Sequence, residues 1–234
     1  MGYASKVRQI CLITLVIALA GCSHALRWTP EYHEVKTGDT VYSIAWRYGL
    51  DQRELVEWNN LDRNGLIYPG QKLRLSPTAG RSASTAGGAA SPAVKSRSNT
   101  GRNTPSAPAQ KVSSWQWPTA GKVTSGFGAS TKTQSGIQIA GRERQPVVAA
   151  AGGEVVYSGS GLPGYGQLLI IKHNSDYLSA YGHNDSLLVG EGDQVKSGQR
   201  IARMGTDPGK RYVLHFEIRR HGEPVNPLNY LPRR

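Results

Sequence analysis

The chain has 234 residues, and its 28 basic and 16 acidic side chains give a formal net charge of +12. Such a charge suits nucleic-acid binding, but the export signal described next argues against it, and acidic wall polymers, lipid phosphates or acidic proteins are the expected partners. The only two cysteines, Cys11 and Cys22, both lie close to the N-terminus. A chain cleaved before Cys22 would keep one cysteine and could form no internal disulfide.

The N-terminus has the pattern of an export signal. Lys6 and Arg8 precede an apolar stretch that ends at Ala20 and is short for a membrane-spanning helix. Leu19-Ala20-Gly21-Cys22 follows, and it resembles the lipobox of bacterial lipoproteins. An ordinary signal peptide or a membrane anchor is the alternative.

The lipobox resemblance implies that residues 1–21 are a signal peptide, that Cys22 is lipidated, and that residues 22–31 form a stalk. Ser23, and not Asp, follows the cysteine. By the family's sorting rule, this favours a lipid anchor in the outer membrane with the protein facing the periplasm.

Residues 32–76 predict a small α+β domain of about 45 residues. The predicted order is strand, helix, helix, strand, from alternation at 33–36, helical spacing at 41–48, a second helix through Trp58, and a strand at 72–75. Thr40 is the expected N-cap of the first helix and Gly49 its expected end. Asp51 with Glu54 resembles a capping box at the start of the second helix.

The same stretch resembles a LysM module through Val35-Lys36-Thr37-Gly38-Asp39-Thr40, Trp58-Asn59-Asn60-Leu61 and Ile67-Tyr68-Pro69-Gly70. The resemblance implies binding to the N-acetylglucosamine-containing glycan of peptidoglycan, between two loops that hold Gly38, Asp39, Thr40, Leu66, Ile67 and Tyr68. Tyr42, Trp46 and Trp58 are assigned to the core, because a domain of this size needs its aromatic residues there.

Residues 77–113 are rich in Ser, Ala, Gly, Thr and Pro, carry five basic side chains and contain no acidic or aromatic residue. This composition cannot bury enough apolar surface to fold, so we predict a disordered basic linker. Residues 114–234 contain short strand-like segments separated by turns and no long amphipathic helix, which predicts an antiparallel all-β domain.

The second domain resembles the LytM, or M23, family of zinc peptidases that cut peptidoglycan cross-links. The resemblance rests on ordered motifs across residues 115–232, among them Thr124-Ser125-Gly126-Phe127-Gly128, Tyr181-Gly182-His183 and Leu214-His215-Phe216-Glu217. The family holds zinc with an HxxxD pair and the second histidine of an HxH pair. Here those positions carry Gln134, Gln138 and His215, and Val213 takes the first HxH position.

The substitutions predict a protein without catalytic residues, metal or cofactor, because one histidine and two neutral carboxamides are a poor zinc site. The combination of lipobox, LysM, basic linker and degenerate LytM domain resembles the NlpD-like lipoproteins. The resemblance implies activation of a periplasmic N-acetylmuramoyl-L-alanine amidase for septal wall splitting and daughter-cell separation. The alternatives are a tether that only binds the wall and a residual zinc endopeptidase.

In that branch the former active-site groove serves as a docking surface. Because side chains two apart on a strand share a face, we expect the groove to be lined by Gln134, Gln138, Tyr181, His183, Val213, His215 and Arg219, with Glu217 in the same row between the last two. On this interpretation, Arg219→Glu and Tyr181→Ala should abolish activation without unfolding the protein. The alternative is that Val213 fills the space and that Arg219 pairs with Glu217 or solvent.

Overall fold

The computed structural model describes residues 30–62, 65–77, 112, 114–129 and 135–234. The predictions for the signal peptide, for Cys22, for Gln134 and for nearly all of the stalk and linker lie outside these residues. The described residues from Glu31 to Arg234 form one compact unit. Within the described part of the chain, no helix has the length and apolar character needed to cross a bilayer.

The first domain has the predicted strand-helix-helix-strand order. Strand β1 (Tyr32–Glu34) pairs antiparallel with strand β2 (Lys72–Arg74), and the helices α1 (Val41–Tyr48) and α2 (Gln52–Trp58) lie between them in the chain. The prediction of a small α+β domain is confirmed.

Helix α1 begins and ends where its capping residues predict. The Thr40 hydroxyl accepts the Ser43 N–H at 3.0 Å, and the Ser43 hydroxyl accepts the Thr40 N–H at 2.9 Å, so both donors at the start are satisfied. Gly49 ends the helix with φ 68°, a conformation that glycine adopts without steric cost. Helix α2 starts differently from the expectation, because the Asp51 carboxylate accepts the Arg53 N–H without a reciprocal bond from Glu54.

The core of the first domain is aliphatic, not aromatic. Ile44, Leu55 and Leu73 are fully buried at its centre. Trp46 is also buried, but it packs with residues of the second domain, and Trp58 is only half-buried. The assignment of these two tryptophans to the core of the first domain was therefore wrong. Aliphatic side chains from both helices and from the strand segments fill that core.

The second domain is antiparallel and almost entirely β, as predicted. Its strands are β3 (Val123–Ser125), β4 (Ile137–Ala140), β5 (Pro146–Val148), β6 (Gly153–Gly159), β7 (Gln167–Lys172), β8 (Tyr177–Leu187), β9 (Gln194–Val195), β10 (Arg200–Met204), β11 (Val213–Arg220) and β12 (Glu223–Val225). They belong to one ten-stranded sheet with the central order β3-β4-β11-β8-β7-β6-β9, and a 3-10 turn at Pro227–Asn229 follows the last strand.

His173, at the end of β7, makes the stability of this domain depend on pH. Both ring nitrogens are engaged, one with the Gly152 carbonyl at 2.8 Å and the other with the Ser179 hydroxyl at 2.7 Å. Burial lowers the pKa of His173 to about 4 from an ordinary 6.5. The folded protein therefore binds this proton less readily than the unfolded chain does.

Stability should consequently fall as the pH drops from 6.5 towards 4. The linkage relation gives a loss of about 1–2 kcal/mol in the free energy of unfolding between pH 7 and pH 5. Urea denaturation at both pH values measures it. In His173→Asn the loss should be smaller, and an equal loss in the two proteins would contradict this assignment.

Candidate functional site

Three neighbouring strands bring together Gln138, His183 and His215, three of the predicted groove residues. His215 on β11 lies opposite Gln138 on β4 and opposite Gly182 on β8. His183 follows Gly182, and its ring centroid is 6.0 Å from that of His215. These residues form one end of a cleft of about 340 Å³, lined by Ser135, Gln138, Pro163, Gly164, Tyr165, His183, Asp207, Pro208, His215 and Glu217.

A bulge in β8 directs His183 into this cleft, whereas Tyr181 lies on the core side of the strand. Gln167 lies opposite Asn184 and Leu169 lies opposite Tyr181, so β8 has one more residue than β7 over this stretch. His183 has φ 63°, in the left-handed region. Such a bulge reverses which face a side chain takes, and it often adjoins a functional site.

Tyr181 therefore does not line the cleft, contrary to the prediction. It is fully buried against Phe216, and its hydroxyl accepts the Ala150 N–H at 2.8 Å. Burial raises the pKa of its phenol to about 12. Tyr181→Ala would remove a central core side chain, so this substitution cannot separate docking from folding.

Glu217 is the charged centre of the cleft wall. Its Oε1 accepts hydrogen bonds from the Tyr165 hydroxyl and from His215 Nε2, both at 2.8 Å. Burial would raise the pKa of this carboxyl, but the Arg219 charge and the hydrogen bonds from His215 and Tyr165 hold it below its ordinary value. Burial, together with the Glu217 charge, raises the pKa of Tyr165 to about 12. A carboxylate with these partners stays ionised at neutral pH.

One atom in this wall lacks a partner. Because the Glu217 carboxylate only accepts, His215 donates to it from Nε2. The other ring nitrogen of His215, Nδ1, is buried and has no hydrogen-bond partner in the part of the chain that is described. A buried polar atom without a partner is uncommon in a folded protein, and at a cleft it marks a position that a ligand could satisfy.

Arg219 points away from the cleft, so its prediction as a groove residue was wrong. Its Nε donates to Glu217 Oε2 at 3.1 Å, and its Nη1 donates to the Trp46 carbonyl of helix α1 at 3.0 Å. The guanidinium carbon lies 3.6 Å from the centroid of the Trp46 ring. The alternative that Arg219 pairs with Glu217 is the correct one, because the first domain covers this end of β11.

The contact between the two domains extends well beyond Arg219. Trp46 is 4% exposed and packs in an apolar cluster with Val156, Tyr157, Leu162, Leu168, Ile170 and Ala180 of the second domain. Polar contacts surround this cluster. The Arg47 guanidinium donates to the Gly161 carbonyl at 3.1 Å, and Arg53 Nη2 lies 2.7 Å from His221 Nδ1.

Of the remaining predicted groove residues, Val213 is buried and is not among those that line the cleft, and Gln134 lies outside the described residues. Glu217 lines the cleft, as expected from its place two residues after His215 on the same strand. Sequence reasoning missed Tyr165 and Asp207. Nothing in the sequence indicated that Tyr165 and Asp207, from distant loops, would reach the cleft.

The residues present do not fit the zinc ion that an M23 peptidase holds. His215 has one ring nitrogen committed to Glu217, and Gln138, which lies opposite it at the position of a second family ligand, is a neutral carboxamide. Within the described residues, no group of three His, Cys, Asp or Glu side chains could hold a metal ion. A catalytic zinc site needs three such ligands, so no step is assigned to a metal here.

The predicted glycan-binding loops lie together at one end of the first domain. Asp39, Thr40, Leu66 and Ile67 line a second cavity, while Gly38 and Tyr68 are exposed outside it. The cavity's other wall belongs to the second domain. The polar side chains of the first loop are already engaged: the Asp39 carboxylate lies 2.9 Å from His33 Nε2, and the Thr40 hydroxyl caps α1.

Comparison with known proteins agrees with both domain descriptions. Residues 33–76 match the LysM domain model, and residues 132–227 match the model of peptidase family M23. The chain is thus a LysM protein with an M23 peptidase-like domain.

Similar proteins show to which family, among LysM proteins with an M23 peptidase-like domain, this chain belongs. The Lipoprotein NlpD/LppB homolog of Pseudomonas aeruginosa is 43% identical, with 88% of this chain and 78% of that protein covered. The murein hydrolase activator NlpD of Escherichia coli is 38% identical over 86% of this chain and 68% of its own length. The lipoprotein YgeR of the same organism is 37% identical over 95% of this chain and 92% of its own length. This chain belongs to the NlpD family of lipoproteins.

Proposed function

We propose that this protein is a non-catalytic activator of a periplasmic N-acetylmuramoyl-L-alanine amidase, and that the cleft around His215 is where the amidase docks. The family relationship supports an activator, because close relatives carry the name murein hydrolase activator. Gln134 and Gln138 at the family's ligand positions, and Val213 at the position of a histidine that assists proton transfer, argue against hydrolysis by this chain. In this role the protein promotes septal wall splitting and daughter-cell separation.

The observation that carries the docking proposal is the buried His215 Nδ1, which lacks a partner at the wall of a 340 Å³ cleft. A peptide segment of the amidase would supply a hydrogen-bonding group to this nitrogen and apolar side chains to the walls formed by Pro163, Tyr165 and Pro208. Occupation of the cleft would hold the amidase in a conformation whose own zinc site is open.

Direct binding tests this proposal. Calorimetric titration of the purified protein with a periplasmic amidase should give a one-to-one complex that His215→Phe weakens, because phenylalanine offers no nitrogen to the partner. The same substitution breaks the bond to Glu217, so thermal unfolding must be measured beside it. If a folded His215→Phe variant bound as tightly as wild type, the amidase would have to dock elsewhere.

We further propose that the LysM loops bind peptidoglycan glycan and that a lipid on Cys22 holds the protein at the outer membrane. The apolar side chains at the second cavity, Leu66 and Ile67, and the family match of residues 33–76 support the first point. Together these contacts would place the amidase-docking cleft between the outer membrane and the wall.

Replacing Cys22 by Ala should move the protein from the outer-membrane fraction to the soluble periplasmic fraction. The reason is that the thiol is the only group in this position that can carry the diacylglyceryl anchor. Fractionation followed by immunoblotting measures the shift, and Ser23→Ala is the matched control. An unchanged distribution of the Cys22→Ala variant would contradict lipid anchoring.

A further inference from the structure

The cavity beside the LysM loops is shared by both domains. It has a volume of about 270 Å³ and is lined by residues 39–42 and 65–67 of the first domain and by residues 154–156 and 191–192 of the second. Its second wall contributes two carboxylates, Glu154 and Glu191, both exposed to solvent. Gly192 leaves the space beside it open, because a Cβ atom built there would meet no atom within 4 Å.

Contacts close to the cavity hold its two walls in fixed positions relative to each other. The Thr40 hydroxyl donates to the Val156 carbonyl at 3.3 Å, directly between the walls. Tyr42 lies under the Lys172 ammonium, at 5.6 Å from the ring centroid. The apolar contacts of Trp46 and the hydrogen bond from Arg219 to the Trp46 carbonyl also join helix α1 to the second domain. A ligand would therefore meet both walls at once.

The two walls differ in the hydrogen bonds they can offer. In the first domain, Thr40 is committed to Ser43 and Val156, and the Asp39 carboxylate is committed to the Lys36 N–H and to His33. That wall offers mainly the apolar surface of Leu66 and Ile67. In the second domain, Glu191 accepts only the Ser158 N–H at 3.2 Å, and Glu154 has no side-chain partner within the described residues.

We propose that the glycan site is built from both domains, and that Glu154 and Glu191 accept hydrogen bonds from hydroxyl or amide groups of an amino sugar whose apolar face lies on the LysM loops. The ligand class is an N-acetylated hexosamine chain. A sugar ring presents donors on its edge and C–H groups on its face, which matches one carboxylate wall opposite one aliphatic wall. This inference rests on the proposed glycan binding of the LysM loops.

The test uses residues 23–234 purified without lipid and a soluble N-acetylglucosamine oligosaccharide as the probe. Titration calorimetry should show that Glu154→Ala and Glu191→Ala each weaken binding about three- to tenfold, as expected for loss of one hydrogen bond. Glu143→Ala, which removes an exposed carboxylate of the second domain outside the cavity, is the matched control and should leave the affinity unchanged.

A LysM-side variant, Leu66→Ala, separates this inference from the function on which it rests. If Leu66→Ala weakens binding while both glutamate variants bind as wild type, the LysM loops bind glycan alone and the two-domain site is wrong. If Leu66→Ala also has no effect, or the wild-type protein does not bind the oligosaccharide, both proposals fall. Weakening by the glutamate variants, with Glu143→Ala unaffected, supports the shared site.

Discussion

Arg219→Glu is expected to destabilise the protein by at least about 3 kcal/mol, because breaking a buried ion pair leaves an uncompensated charge. The substitution would place a second carboxylate beside the fully buried Glu217 and remove the guanidinium that pairs with it. It would also remove the hydrogen bond to the Trp46 carbonyl and the stacking on the Trp46 ring. Urea denaturation of the whole chain measures the change in the free energy of unfolding.

The matched control is the next residue in the chain. Arg220 is exposed and lies over the Tyr177 ring at 5.8 Å, so Arg220→Glu should cost no more than about 1 kcal/mol. Equal stabilities of Arg219→Glu and Arg220→Glu would mean that Arg219 is not buried between the domains in solution.

Ser135→Trp should abolish amidase activation by filling the cleft. Ser135 is half-buried at the cleft wall, and an indole there would occupy the space that a partner segment needs. Loss of a central docking contact typically costs more than 2 kcal/mol, so we expect the amidase concentration for half-maximal activation to rise at least about thirtyfold. Measuring peptidoglycan release at increasing amidase concentration gives this value.

Ser175→Trp is the control for the bulky side chain. Ser175 is exposed in the turn between β7 and β8, and its hydroxyl donates to the adjacent Asp176 carboxylate at 2.8 Å. This variant should activate as wild type does, and both variants should unfold at temperatures close to that of the wild-type protein. Full activation by a folded Ser135→Trp variant would show that the cleft is not the docking surface.

The local features of the fold were predictable because short-range chemistry determines them. The bounds of α1 follow from Thr40 and Gly49, whose capping geometry depends on a few neighbouring residues. The position of Gln138 beside His215 followed from the motif order of the family, and the antiparallel pairing of β4 with β11 brings the two residues together.

The placement of Tyr181 was not predictable from alternation. One extra residue in β8 reverses the faces between Tyr181 and His183, and a strict two-residue period cannot show where a strand bulges. A strict two-residue period predicts that Tyr181 and His183 both face the cleft. Because of the bulge, Tyr181 lies in the core and only His183 lies at the site.

The roles of Arg219 and Trp46 depend on a contact between residues 173 positions apart in the chain. Alternation along β11 placed Arg219 beside Glu217 correctly, but it could not show that helix α1 would cover that end of the strand. In the same way, Trp46 reads as a core residue of a small domain, and its true environment is the outer face of a sheet in the next domain.

The central claim is that this protein makes an amidase active without cutting the wall itself. Release of label from dye-labelled sacculi tests it most directly, with the purified protein alone, a periplasmic amidase alone, and the two together. We expect release above the amidase background only in the mixture. Release by the protein alone would mean that it is a hydrolase, and a mixture that releases no more than the amidase alone would leave only the role of a wall-binding tether.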